Sequence, residues 1–350
     1  MSVYSGEITV GVIGAGGMGA RHADNLSYRV KGARVGGVTD LDRPRAEKLA
    51  SKYGAAAFED EPALIRDGGI DAIVIASPDS THAGLVTECI RNEKPVLCEK
   101  PLATSAEDAS EIVDAEAELG KKLVQVGFMR RYDPQHVAVE AAVASGSIGR
   151  PVLFKGTHRN LAAAADASSE SILFNSAVHD LDSARWLLGK EIEGVHVSGA
   201  STGAASDGGA LDLQLIQLYL SGGRLASIEV YVNAGYGYEV DAEVVGEAGA
   251  VRLAPANAPV LRSQRRAGHS VEYDWLERFP EAYVIEAQRW IEDLHAGDIT
   301  GPDAWDGYMA LVAVEGCVAS VLSGATEPLQ APDRPEIYRQ AKEATASERR

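Results

Sequence analysis

Apolar residues recur along this chain in two different rhythms. Over roughly the first 130 positions they form short runs: Ile8, Val10, Val12 and Ile13 first, then residues 33–39, 70–76, 95–98 and 122–126. Stretches with helical spacing separate them, near 43–53, 62–66, 80–92 and 105–119, with one more short strand near 55–58. Buried runs alternating with helices predict a parallel, doubly wound sheet with ligands at the carboxyl ends of its strands. Past residue 130 the rhythm changes. A helix over 134–144 leads to a strand at 151–158, a small-residue loop from Asn160 to Ser169 and a helix over 176–188. Strand runs then follow without helices between them, at 193–200, 211–220, 224–233, 238–245 and 250–253. Turns such as Ser221-Gly222-Gly223 and Glu247-Ala248-Gly249 separate them, which predicts antiparallel pairing. Helices near 281–296 and 305–322 close the chain. The expected fold class is α/β: a doubly wound domain over 1–128, and an α+β domain over 129–332 built on a large open, mainly antiparallel sheet. A mobile charged tail is expected at 333–350. One face of the open sheet should pack on helices and the other on a partner subunit.

The first apolar run feeds directly into Gly14-Ala15-Gly16-Gly17-Met18-Gly19. Three glycines at this spacing, between a strand and a helix, are the pattern of a dinucleotide-binding turn. Gly14 permits the tight turn, Gly16 lets backbone approach a pyrophosphate, and Gly19 lets the helix lie close to its strand. The helix start adds unsatisfied N–H groups and a positive dipole end. The second strand ends at Asp40, about 20 residues on, where a carboxylate accepts from ribose hydroxyls and repels a 2′-phosphate. NAD is the expected cofactor, and nearby Arg43 leaves NADP open. Three further loops at the same sheet edge carry polar groups: Ser77-Pro78-Asp79-Ser80-Thr81-His82, Glu99-Lys100-Pro101 and the stretch from Gly127 to Tyr132. Candidate cofactor contacts are therefore Gly14, Gly16, Gly17, Met18, Gly19, Asp40, Arg43, Ser77, Pro78, His82, Glu99 and Lys100.

Composition narrows the class of protein. The 350 residues, 45% hydrophobic and 24% charged, suit a chain of two domains with ordinary cores. A net charge of −18 argues against nucleic acid and anionic membrane as partners. Neither a leader-like N-terminus nor an 18-residue apolar run is evident, so the expected location is the cytoplasm. Cys89, Cys98 and Cys317 are too few and too scattered for a disulfide framework or a zinc site, and the histidines show no metal-binding spacing.

Two residues carry the expected chemistry. Lys100 follows a parallel strand at the ligand edge, where an ammonium orients a hydroxyl and lowers its proton affinity, while Pro101 stiffens the turn. Glu99 beside it is expected to pair with a base or a helix end. His179 stands at a helix start, and an imidazole is the group best poised near neutral pH to take a proton from an alcohol. Asn175 precedes it by four residues, on the same helical face if the helix has begun by then. Asp180 and Asp182 are read as favouring the helix dipole. Arg130, Asn160, and Tyr236 or Tyr238 are candidates for holding further hydroxyls.

Together these motifs resemble the glucose–fructose oxidoreductase/inositol dehydrogenase family over nearly the full length. The family-wide signatures are the glycine turn, Ser77 to His82, and Cys98-Glu99-Lys100-Pro101. Closer to its inositol-oxidising branch are Gly127 to Pro134, His158-Arg159-Asn160, Gly235-Tyr236-Gly237-Tyr238 with Val245-Gly246-Glu247, and Gly301 to Tyr308. The resemblance implies a Rossmann domain followed by a mixed-sheet domain, NAD use, a homo-oligomer (commonly a tetramer), and Lys100 and His179 as the catalytic pair. It implies oxidation of a secondary hydroxyl of a cyclic polyol, myo-inositol to its 2-keto form foremost. Another cyclitol, an aminocyclitol or a pyranose is the alternative, and a non-catalytic dinucleotide-binding regulator a further one. One departure stands out: the family places an aspartate where this chain has Asn175. A neutral amide can orient an imidazole but supplies no charge to stabilise its protonated form, which predicts slower chemistry on inositol or a changed substrate.

Overall fold

Ile8–Ile13 (β1) is buried along its whole length, which explains why its apolar residues run on instead of alternating. In the computed structural model, which describes residues 6–164, 166–203, 209–254, 260–263, 265–268, 270–330 and 332–339, two compact units emerge. The first continues through α1 (Gly17–Tyr28), β2 (Ala33–Thr39), α2 (Arg43–Tyr53), β3 (Ala56–Ala57), α3 (Glu61–Arg66), β4 (Ala72–Ile75), α4 (His82–Arg91), β5 (Val96–Glu99), α5 (Ala106–Leu119) and β6 (Val124–Gly127). Helix boundaries follow local chemistry. Asp42 accepts from the Arg45 N–H to start α2, and Gly54 ends it at φ 65°. The strands pair in parallel in the order β3-β2-β1-β4-β5-β6, so chain direction across the sheet reverses between β1 and β4. That reversal point is where an open α/β sheet forms its crevice.

The second unit holds α6 (Pro134–Ala144), β7 (Pro151–Arg159), α7 (Ser169–Ile172), α8 (Val178–Leu188), β8 (Ile192–Ala200), β9 (Leu213–Leu220), β10 (Arg224–Tyr231), β11 (Glu239–Gly246) and β12 (Ala250–Arg252). A small hairpin, β13 (Leu261–Ser263) with β14 (Arg266–Gly268), and a one-turn helix, α9 (Trp275–Arg278), follow. The last elements are α10 (Pro280–Ala296), α11 (Ala304–Ser323) and β15 (Glu327–Pro328). The sheet order is β12-β11-β7-β10-β9-β8-β15. Its pairs are antiparallel except β7 with β10, a parallel pair running from Leu153–Leu225 to Arg159–Tyr231. Consequently the carboxyl ends of β7 and β10 and the start of β11 share one edge. On β9 and β10, Ile216, Leu218, Ala226, Ile228 and Val230 point into the core, whereas Leu215, Tyr219 and Leu225 are exposed on the other face.

Compared with the expected division at 128 and 332, the first unit also takes in residues 283–311 and 332–339. The cause is apolar: Ala287, Trp290, Ile291 and Leu294 of α10 pack with Val10, Val12, Ala23, Leu26 and Val38 in one core. The described start of the tail, up to residue 339, is likewise anchored. Tyr338 is buried, its ring lies 6.4 Å from that of Trp305, and its hydroxyl donates to Glu116 Oε2 at 2.6 Å. Residues 340–350 of the expected mobile tail, Ala165 of the small-residue loop and His269 lie outside the described residues. α11 is long and apolar enough to cross a membrane by length and composition. Its Trp305, Met309, Leu311, Ala313, Val314 and Cys317 are core residues, however, which makes it a buried helix of the fold.

Candidate functional site

In the first unit the glycine turn has the predicted geometry. Gly14 sits at φ 93°, and a Cβ there would meet the Ala76 carbonyl oxygen at 2.5 Å. At Gly19 it would lie 1.7 Å from the Gly14 oxygen, so the α1 start presses directly on the turn. Gly16 and Gly17 face open space. The backbone there forms a cradle with no side chain in it, at the amino end of a helix without an acidic first turn. Met18 is half-buried beside it. The residues present therefore fit a dinucleotide pyrophosphate.

Asp40 accepts from the Ala15 N–H through Oδ2 at 2.7 Å and from the Asp42 N–H through Oδ1 at 2.8 Å. The carboxylate is thus fastened to the turn it serves, and its remaining lone pairs can face ribose hydroxyls. Arg43 is turned to another partner, Glu47, at 2.9 Å. The cation nearest Asp40 is instead Arg45, at 3.7 Å. Two positions along α2, about 200° of turn, separate the two, and propensity alone does not reveal it.

The other loops at this edge are tied to one another. Ser77 Oγ and Thr81 Oγ1 are 2.6 Å apart, while Pro78 is exposed. His82 is buried, with Nδ1 2.7 Å from the Pro101 oxygen and Nε2 3.0 Å from the Ser77 oxygen. It joins two loops and has no ring nitrogen to spare for a ligand. Glu99 meets a base as expected, His22 of α1, at 2.7 Å. The strand bearing Lys100 is thereby pinned to the fingerprint helix; the Lys100–Pro101 bond is cis. Sequence reasoning passed over Glu286 of α10, fully buried in this unit. Both its carboxyl oxygens lack a hydrogen-bond partner among the described residues. Burial and the Glu99 charge push its pKa well up, which keeps it neutral.

In the second unit the polar residues gather at the shared edge of β7, β10 and β11. Arg130, only 1% exposed, donates from NH1 to Asp180 Oδ1 at 2.8 Å and from NH2 to His158 Nδ1 at 3.0 Å. His158 Nε2 lies 3.0 Å from Asn160 Oδ1, and Tyr238 stands edge-on to the His158 ring at 5.7 Å. Burial alone would raise the Asp180 carboxyl, but the Arg130 charge together with the contacts to His158 and Arg130 holds the pKa below the usual range. Burial lowers His158 and pushes Tyr238 up to about 12, so both are neutral near pH 7. Gly156 makes room for this arrangement, since a Cβ there would come within 2.9 Å of Asp180 Oδ1. Asp180 is therefore the counter-ion of a buried arginine, where the sequence suggested only a dipole effect. Asp182 does the same for Arg131, accepting from its Nε at 2.9 Å.

His179 lies in the first turn of α8 and is 7% exposed. Asn175 precedes it in a π-turn, Leu173–Ala177, that the periodicity did not predict. Asn175 itself is exposed. Of the tyrosines, Tyr238 belongs to the buried cluster, whereas Tyr236 is 51% exposed and accepts from Arg159 NH1 at 2.9 Å. A cavity of about 520 Å³ opens on the far flank of this edge, lined by Tyr236, Tyr238, Glu239, Arg252 and Arg278. Neither Asn160 nor His179 lines it.

A parallel sheet ending in a dinucleotide cradle, followed by an α+β unit with a buried polar cluster, defines a class of protein. The chain belongs to the Gfo/Idh/MocA oxidoreductase family. Residues 8–128 match its NAD-binding Rossmann fold, and residues 140–329 match its C-terminal alpha/beta domain. Among its relatives is the inositol 2-dehydrogenase of Rubrobacter xylanophilus, 53% identical over 97% of this chain and 99% of that one. Inositol 2-dehydrogenase 1 of Saccharopolyspora erythraea is 41% identical over 95% of this chain and 99% of its own length. Among solved structures, the fold matches myo-inositol dehydrogenase from Lactobacillus casei in complex with NAD(H) and myo-inositol. The TM-score is 0.92 at 35% identity, covering 95% of this chain and all of that one.

Proposed function

We propose that this chain oxidises a secondary hydroxyl of a cyclic polyol with NAD, converting myo-inositol to its 2-keto form, scyllo-inosose. The observation that carries this reading is similarity to inositol dehydrogenases over the whole length of both units, at 53% identity in one case. Bound nicotinamide supplies the hydride acceptor. The chain's own residues do the rest. Gly16, Gly17 and the α1 start hold the pyrophosphate, and Asp40 holds the ribose of the adenosine half. Lys100, on a strand end pinned through Glu99 and His22, orients the reacting hydroxyl and lowers its proton affinity. His179 accepts the hydroxyl proton, and Asn175 supports it. Asn160 and Tyr238 serve the remaining hydroxyls.

Asn175 favours a second reading at the same site, since an amide offers no charge to a protonated imidazole. An aminocyclitol or a pyranose is the substrate in that case. We also read the enzyme as a cytoplasmic homo-oligomer, a tetramer foremost. The exposed Leu215, Tyr219 and Leu225 on the open sheet face support assembly, and three buried free thiols suit a reducing compartment. The test is NADH formation over a panel of cyclitols, aminocyclitols and sugars, with Lys100→Met alongside. The variant should keep NAD binding and lose most turnover; full activity would remove Lys100 from the mechanism.

A further inference from the structure

Arginine has five N–H donors and no acceptor. Where Arg130 NH2 meets His158 Nδ1 at 3.0 Å, the ring nitrogen must therefore be the acceptor and carry no proton. A neutral imidazole then holds its single proton on Nε2. That nitrogen lies 3.0 Å from Asn160 Oδ1 and donates to it, which leaves the amide NH2 turned away from the ring. We infer that Arg130 and His158 form a proton-locked relay that sets which way round the Asn160 amide stands, so that Asn160 meets the substrate as a donor and selects an acceptor oxygen. Arg130 and His158 are positioning residues in this scheme, and of the three only Asn160 touches substrate. The inference rests on the polyol reading above and specifies one of its subsites.

Further observations support the relay. Burial and the Arg130 charge both oppose a second proton on His158. Asp180 Oδ2, at 3.5 Å from Nδ1, would favour the opposite tautomer, but Arg130 is closer and its other arm already occupies Asp180 Oδ1. Asn160 is only half-buried, and its backbone is held at both ends: its N–H donates to the Tyr231 oxygen and its oxygen accepts from Ala234, each at 2.9 Å. The side chain is thus free to be set by its neighbour and open to a ligand.

The test has two arms on the full chain. In ¹⁵N-histidine-labelled protein, with the His158 signals assigned by their loss in His158→Gln, Nδ1 should appear unprotonated and Nε2 protonated at neutral pH. The reverse pattern overturns the relay. In the kinetic arm, Asn160→Asp still accepts from His158 but offers no donor to the ligand. It should raise KM for myo-inositol about tenfold while kcat and the KM for NAD move less than about threefold. Among monodeoxy-inositols the rise should vanish for the one lacking the contacted hydroxyl; an equal rise for every analogue overturns the subsite. His158→Gln, which keeps a donor at the Nε2 position, should restore most of what His158→Ala loses, and equal losses in both count against the relay. If the protein turns over no inositol while Nε2 is protonated, the functional reading fails and the relay stands.

Discussion

Glu116 sets up a stability difference that can be measured without any substrate. It is almost wholly buried, and its carboxyl accepts from the Leu123 and Val124 N–H groups on Oε1 and from the Tyr338 hydroxyl on Oε2. Burial raises its pKa from 4.5 to about 7 despite these three donors. Below pH 4.5 folded and unfolded chains both hold this proton. Between 4.5 and 7 the unfolded chain releases it while the folded chain keeps it, so stability falls as pH rises. About 2.5 units at about 1.4 kcal/mol each puts the full loss near 3 kcal/mol above pH 7. Glu116→Gln removes the charge but keeps the geometry. Its carbonyl oxygen can serve both N–H groups, and its amide can donate to the Tyr338 oxygen. The variant should match wild type in urea unfolding at pH 5 and exceed it by about 1–3 kcal/mol at pH 8. Asp303, raised to about 6 mainly by burial, and Glu286 titrate in both proteins and cancel in the comparison. A variant less stable than wild type at pH 8, or shifted equally at both pH values, would refute the reasoning.

Asp180→Asn should cost about 3–5 kcal/mol in urea unfolding of the second unit, because Arg130 would keep its charge in a buried site with no counter-ion. Gly156→Ala should cost about 1–3 kcal/mol, since its methyl would meet both Asp180 Oδ1 and the Phe154 ring at or below 3.0 Å. Asp40→Ser should raise the KM for NAD about tenfold and narrow the preference over NADP, because the carboxylate that would repel a 2′-phosphate is gone and Arg45, still paired with Asp42 at 3.1 Å, stands beside the site. Initial rates with both cofactors check this.

How much of this was legible beforehand divides along the range of the interaction. The α2 and α6 spans, 43–53 and 134–144, follow from local periodicity, and the structure returns them unchanged, each capped by an aspartate, Asp42 and Asp133. The glycine turn was equally legible, because backbone conformation and close approach are demanded at the very residues that supply them. The parallel pairing of β7 with β10 was not. Each strand carries the same alternating pattern whichever neighbour it takes, and only packing decides. At the start of the tail, up to residue 339, the same reason applies: its charge suggested mobility, but one buried hydroxyl bond and one ring contact hold Tyr338.

The polar cluster shows the limit most plainly. His158, Asn160 and Tyr238 stand in motifs that drew attention, as does Arg130, yet the contacts that set their state are not legible in those motifs. Arg130 looked like a ligand contact and is walled in; Asp180 looked like a helix-end charge and is its counter-ion. Gly156, with no side chain to notice, decides whether the carboxylate can reach β7 at all. A buried ion pair costs desolvation, and replacing one with apolar groups is often neutral or better for stability. This one nonetheless holds two arms of a guanidinium in place, and the second arm dictates a tautomer. What the cluster supplies is therefore orientation rather than stability, and orientation leaves its trace in three-dimensional contacts, not in residue spacing.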